Sequence, residues 1–325
     1  MKRMVSKSFV LLSILFVLIW VLQGNSRAAE GRYPSRTIEF YYGFGAGGAI
    51  EYQTRTWGDK VGKILGVHVI PVPKPGGGQV VETNLLINSP PDGYTMANIG
   101  QSGIVQTILL SKGALSLESL RIVCQNTVFG EMICVSSESP WKTFQDFIDY
   151  AQKNPGLKFA HLGMATNGYI RTQLLNKNVN LGMIGVPFKS DPEMLAAVLG
   201  KHIPAGIFSP MTAKIQEDAG KMRILFSFAD PAKFGLDPNI PSIRTFFDKS
   251  VADKDIETVG FVAVPAKTPD EIVKILERAF ENAAKDPEAI AGMQKFRGGV
   301  DFYDSKTATQ NLQRALEKYK ALEAK

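Results

Sequence analysis

Short apolar runs alternate along the chain with longer segments whose apolar residues recur every third or fourth position. Residues 37–42 (Thr-Ile-Glu-Phe-Tyr-Tyr) read as a strand, and 51–65 as a helix with Trp57, Val61, Ile64 and Leu65 apolar, stopped at Gly66. A strand over 67–72, a helix over 79–88 and a strand over 96–99 follow; further strands are expected over 157–161, 183–187, 203–208, 222–228 and 258–264. Thr143 with Asp146 opens a helix as a capping box, and Asn154-Pro155-Gly156 stops it. Asp191-Pro192 sets an N-cap before a first-turn proline, ahead of Met194, Leu195, Val198 and Leu199. Thr268-Pro269-Asp270-Glu271 does the same before Ile272, Leu276, Ala279, Phe280 and Ala283, and a last helix over 306–322 carries Leu312, Ala315, Leu316, Tyr319 and Leu322. The alternation predicts an α/β protein with mainly parallel sheets flanked by helices.

The first strand runs into Gly43-Phe44-Gly45-Ala46-Gly47-Gly48-Ala49 and then into a helix. Such a loop gathers backbone N–H groups at the positive end of a helix dipole, so its natural guest is an anion. Gly43, Gly45 and Gly48 satisfy G-x-G-x-x-G, the dinucleotide fingerprint; the competing readings are a carboxylate clamp and a plain tight turn. A dinucleotide site needs an acid at the end of the second strand, where Pro71, Val72, Pro73 and Lys74 stand, and the fingerprint fails there. Gly100-Gln101-Ser102-Gly103, which ends the 96–99 strand beside the first loop, continues to Ile104 and so lacks the G-x-S-x-G of a serine nucleophile.

The N-terminus changes the accounting of charge. Lys2, Arg3 and Lys7, an apolar stretch over 9–22 and Ser26-Arg27-Ala28 read as a cleavable secretory signal peptide, residues 1–28. Removing its four basic residues, Lys2, Arg3, Lys7 and Arg27, and no acid lowers the formal net charge from +6 to +2. The remainder has no cluster of basic and aromatic residues suited to nucleic acid. Cys124 and Cys134 are the only cysteines; spacing does not establish whether they pair or stay as buried thiols. His68, His161 and His202 lack metal-ligand spacing, and no metal or cofactor is expected.

Several motifs stand in a telling order: Tyr33-Pro34-Ser35-Arg36 before the first strand, Gly47-Gly48 with an acid and Arg55 beyond, Pro75-Gly76-Gly77-Gly78, and Pro91-Asp92-Gly93-Tyr94-Thr95. Tyr150-Ala151-Gln152-Lys153-Asn154-Pro155-Gly156, Gly185-Val186-Pro187-Phe188-Lys189, Gly220-Lys221-Met222-Arg223 and Pro265-Ala266-Lys267-Thr268-Pro269 continue the series. Together they resemble the extracytoplasmic solute receptors of tripartite tricarboxylate transporters, the Bug family. The resemblance implies a two-lobed periplasmic-binding-protein fold (type II-like), with lobe 1 from residues 29–131 and 252–325 and lobe 2 from 132–251. It also implies a non-catalytic periplasmic monomer that holds a small organic carboxylate in its cleft and delivers it to membrane permease subunits. A sensor feeding a membrane signalling partner is the alternative.

The expected ligand-binding residues are Phe44, Gly45, Ala46, Gly47, Gly48 and Ala49 with Gln101 and Ser102 from one lobe. Gly163, Met164, Ala165, Thr166, Asn167 and Tyr169 form the facing loop, and Phe188 is added from the later motif. Main-chain N–H groups and the Thr166 hydroxyl would receive the carboxylate. The chain departs from the family pattern at Glu51, usually aspartate, at Ala165, Thr166 and Tyr169 in the second loop, and at Phe188 and Ser190. Phe44, Tyr169 and Phe188 are therefore expected to sandwich an apolar or aromatic body. Glu51 and Arg55, spaced i, i+4, are open to a structural as well as a ligand role.

Overall fold

The computed structural model describes residues 33–252, 258–295 and 297–323, so the expected signal peptide lies outside the described residues. All elements below belong to one compact unit, Arg36–Lys325. It opens as a βα repeat: β1 (Ile38–Tyr42), α1 (Ala49–Leu65), β2 (Val69–Pro73), α2 (Val80–Ile87), β3 (Thr95–Gly100) and α3 (Gln101–Leu110). β1 pairs in parallel with β2 and β3. Helix α1 lies close on the second strand because glycine faces it: a Cβ at Gly58 would come within 3.0 Å of the Val69 carbonyl. Trp57 of α1 is fully buried and donates its indole N–H to Thr127 Oγ1 at 3.1 Å.

β4 (Leu120–Phe129) ends the first passage through this sheet, and after Gly130 and Glu131 the chain becomes β5 (Met132–Ser136) of a second sheet. There follow α4 (Phe144–Lys153), β6 (Lys158–His161), α5 (Asn167–Val179), β7 (Ile184–Pro187), α6 (Asp191–Leu199), β8 (Ala205–Phe208), α7 (Pro210–Asp218) and β9 (Met222–Ser227). The chain then returns as β10 (Thr258–Pro265), α8 (Asp270–Ala284), α9 (Pro287–Lys295), β11 (Gly299–Asp304) and α10 (Ser305–Glu323). The first sheet has the order β11-β4-β10-β3-β1-β2 and the second β7-β6-β8-β5-β9.

The α/β architecture with two sheets flanked by helices agrees with the expectation, but the sheets are mixed rather than mainly parallel. β10 runs antiparallel to β3 and β4, and β5 antiparallel to β8 and β9. A strand arriving from the other sheet meets its neighbours in the opposite sense to the local βαβ repeat, which is why the crossing strands are the antiparallel ones.

Each sheet has its own core. In the second, α4 buries Phe144, Phe147, Ile148 and Ala151, and Phe144 stacks on Phe226 at 4.1 Å. Each such phenylalanine contributes about 1.5–3 kcal/mol of burial. In the first, Phe280 of α8 lies 5.8 Å from Phe40 and 5.9 Å from Trp57. Cys124 in β4 and Cys134 in β5 are both free and buried, on strands of different sheets. Burial pushes both thiols well above their ordinary pKa.

Candidate functional site

The glycine loop after β1 meets the corner between β7 and α6. Gly45 N–H donates to the Lys189 carbonyl at 2.9 Å, Gly47 N–H to Glu51 Oε2 at 2.7 Å, and Ala49 N–H to Asp191 Oδ2 at 3.2 Å. Three N–H groups expected to clamp a solute are thus engaged within the chain. Glu51 also accepts from Arg55 at 2.7 Å, so its role here is local; the Gly47 N–H first and Arg55 second hold its carboxyl below the usual range. Asp191 moves the other way, its carboxyl raised by burial against the lowering effect of the Ala49 N–H. The sequence assigned the α6 N-cap to Asp191, but Ser190 takes it, accepting from Glu193 N–H at 3.4 Å. Asp191 is thereby the first residue of the helix, with its carboxylate turned toward α1.

The second loop, between β6 and α5, abuts the turn after β2. A Cβ at Gly163 would lie 2.7 Å from Gly78 N, and one at Gly78 would lie 3.1 Å from Ala165 N, so the two backbones touch only because both residues are glycine. Thr166 caps α5: its hydroxyl donates to the Gly163 carbonyl at 2.7 Å and accepts from Tyr169 N–H at 3.4 Å. His161 Nδ1 accepts from Gly163 N–H at 3.0 Å, and burial lowers the imidazole pKa, so the ring is neutral with its remaining proton on Nε2.

Amide side chains form the floor. Gln79, held in the left-handed region at φ 81°, accepts at Oε1 from Gly100 N–H at 3.0 Å and donates from Nε2 to Glu82 at 3.2 Å. Asn98 Nδ2 donates to Thr54 Oγ1 at 2.9 Å and to Gln53 Oε1 at 3.4 Å, while Asn98 Oδ1 accepts from Asn126 at 3.3 Å. Gln53 Nε2 is buried with no hydrogen-bond partner among the described residues. A buried donor in that state is costly until an acceptor reaches it.

Several of these groups, Ala49, Gln53, Gln79, Asn98, Thr166 and Asp191, line one cavity that is partly open to solvent. Phe44, Ile50, Leu162, Ile207 and Phe208 supply apolar wall, and Gln53, Ser102, Thr166 and Ser209 polar points. The first turns of α1, α3, α5 and α7 all reach it, through Ala49 and Ile50, Ser102, Asn167 and Gly168, and the Ser209 cap. No lysine or arginine lines it among the described residues; its acids are Asp191 and Glu131.

A family model described as the tripartite tricarboxylate transporter family receptor matches residues 54–324. The chain belongs to this receptor family. A relative from Cupriavidus necator, a UPF0065 protein of the gbd 5' region, is 27% identical over 298 residues, covering 91% of this chain and 89% of that one. The structure of the periplasmic binding protein BugD superposes with a TM-score of 0.81 at 17% identity, over 89% of this chain and 97% of that one. MatC of Rhodopseudomonas palustris with bound malate gives 0.80 at 19% identity, over 88% and 98%. These two likenesses share the two-lobed fold with the receptor described here.

Of the residues expected in the receptor's site, Phe44, Ala49, Ser102, Thr166 and Asn167 line the cavity. Gly45, Ala46, Gly47, Gly48, Gln101, Gly163, Met164 and Ala165 are not among the lining residues. Tyr169 is not on the wall; its ring lies 5.2 Å from His161. Phe188 packs with Met194, Val198 and Ile203. Of the three rings expected to sandwich the solute, only Phe44 is among the lining residues. Sequence reasoning missed Gln53, Gln79, Asn98, Asp191, Ile207 and Ser209, among others. Asn167 was expected to meet solute, yet its amide is held by Thr258 Oγ1 at 3.1 Å and by the Tyr319 hydroxyl at 2.6 Å.

Proposed function

We propose that the receptor captures a small organic carboxylate in this cavity, without chemical conversion, after export to the periplasm, and delivers it as a monomer to the permease subunits of a tripartite tricarboxylate-type transporter. The observation that carries the reading is the convergence of helix N-termini, those of α1, α3, α5 and α7 among them, on one cavity that holds no lysine or arginine among the described residues. Helix dipoles and N–H groups favour an anionic oxygen at short range without a fixed cation. Gln53 Nε2, which has no hydrogen-bond partner among the described residues, adds a donor for a solute oxygen, and malate in the MatC structure is a carboxylate held on the same fold.

Gly45 to Lys189 and Ala49 to Asp191 join the lobes directly, so solute enters from a more open arrangement and favours closure by its greater affinity for the closed one. A thermal-shift screen of residues 29–325 against carboxylates, amino acids and neutral sugars tests the proposal. A carboxylate at 100 times its Kd stabilises by about 2.7 kcal/mol. Shifts with sugars alone would refute it.

A further inference from the structure

The helix N-termini that meet the cavity are not equivalent. At α1 an anionic oxygen is already in place: Asp191 Oδ2 lies 3.2 Å from Ala49 N, and a Cβ on Gly48 would lie 3.0 Å from the same oxygen. Asp191 is free to do this because Ser190 caps its own helix. The side chain is buried and forms part of the cavity wall. Glu131, the other acid of the wall, is matched by Arg171 at 2.7 Å. The start of α1 therefore has its negative partner from within the chain, which leaves α3, α5 and α7 to receive a solute anion.

We infer that Asp191 is a specificity-determining residue: its carboxylate is a tethered occupant of the anion position at the start of α1, so the cavity takes a solute with one carboxylate and rejects one with two. The inference rests on the carboxylate-receptor reading above. A second solute carboxylate would find the α1 pole filled and would sit beside Asp191 in a site with no lining lysine or arginine among the described residues. Like charges brought together in such a site oppose binding strongly. The far end of the solute instead meets Phe44, Ile50, Leu162 and Ile207, which suits a hydrocarbon terminus.

Calorimetric titration with length-matched pairs decides the matter: pentanoate against glutarate, hexanoate against adipate, and 4-methylbenzoate against terephthalate. The wild-type receptor should bind the better-fitting monoacids roughly tenfold or more tightly than their diacid partners. Asp191→Asn, which keeps an acceptor for the Ala49 N–H, should narrow that ratio roughly tenfold, chiefly by improving the diacid. Diacids bound by the wild type as tightly as monoacids, or a ratio unchanged in a folded Asp191→Asn, would overturn the inference while leaving the receptor reading intact. If no carboxylate bound while another solute class did, the receptor reading itself would fall. Should Asp191→Asn not fold, the wild-type ratio alone still decides.

Discussion

Arg171 Nη1 lies 2.7 Å from Glu131 Oε2 and ties together the two places where the chain passes between its sheets. Glu131 stands in the two-residue step from β4 to β5, and Thr258, which accepts from the same nitrogen at 2.9 Å, is the first residue of the returning β10. The guanidinium also lies 4.7 Å from the Phe228 ring centroid. Removing one partner of a buried ion pair costs about 3–5 kcal/mol. Arg171→Met should therefore lower unfolding free energy by that order in urea titration; a loss under ~1 kcal/mol would show that the junction does not depend on the pair.

Thr166 couples stability to binding. Because its hydroxyl is shared between the Gly163 carbonyl and the Tyr169 N–H, Thr166→Ala should destabilise the solute-free receptor by about 0.5–2 kcal/mol. Sequence alone made the hydroxyl available to solute, a role in which its loss would spare the empty protein. An unchanged melting temperature for the empty variant would restore that view.

Glu82 sets a pH dependence. It is fully buried beneath Gly43, accepts from Gln79 at Oε2, and has no hydrogen-bond partner at Oε1 among the described residues. Burial raises its carboxyl well above the ordinary value, against the lowering effect of Gln79. The folded state then binds the proton more tightly than the unfolded state. Its contribution is fully present below the ordinary glutamate pKa and is lost as pH rises through the raised folded one. Glu82→Gln should be more stable than wild type on the alkaline side, with the difference shrinking toward acid pH in melting curves. Parallel curves would rule Glu82 out as the source.

Much of this fold was legible in the sequence where one face of an element meets solvent. Trp57 and Val61 mark the inner face of α1, and Thr143 with Asp146 the start of α4, by spacing alone. β5 was not legible, because Met132–Ser136 is buried throughout and shows no alternation. The start of α3 was legible only as the end of the 96–99 strand, for the same reason: from Gln101 to Ile108 every residue is buried, and Gly100 and Gly103 mimic a loop. In the site, Phe44, Ala49, Ser102, Thr166 and Asn167 were recognisable as residues at the ends of βα units. Gln53, Gln79 and Asp191 were not, since the contacts that bring them there join distant segments, such as Ala49 to Asp191. The Ser190-Asp191 pair did hold one signal: two capping residues side by side leave one carboxylate for other work.

The cysteines give a simple check on the topology. Cys124 and Cys134 are buried in different sheets, so both should resist a thiol reagent in the native receptor and both should react after unfolding. Reductant should leave the melting temperature unchanged. A native protein that yields no titratable thiol on unfolding without reductant would mean the pair is oxidised and the strand assignment wrong.

The most direct measurement compares one solute in charged and neutral form. The tightest-binding carboxylate from the thermal-shift panel and its primary amide, nearly equal in size, are titrated calorimetrically into residues 29–325. If helix N-termini read an anion here, the acid should bind at least roughly tenfold more tightly than the amide. Equal affinity, or tighter binding of the amide, would contradict the carboxylate-receptor function.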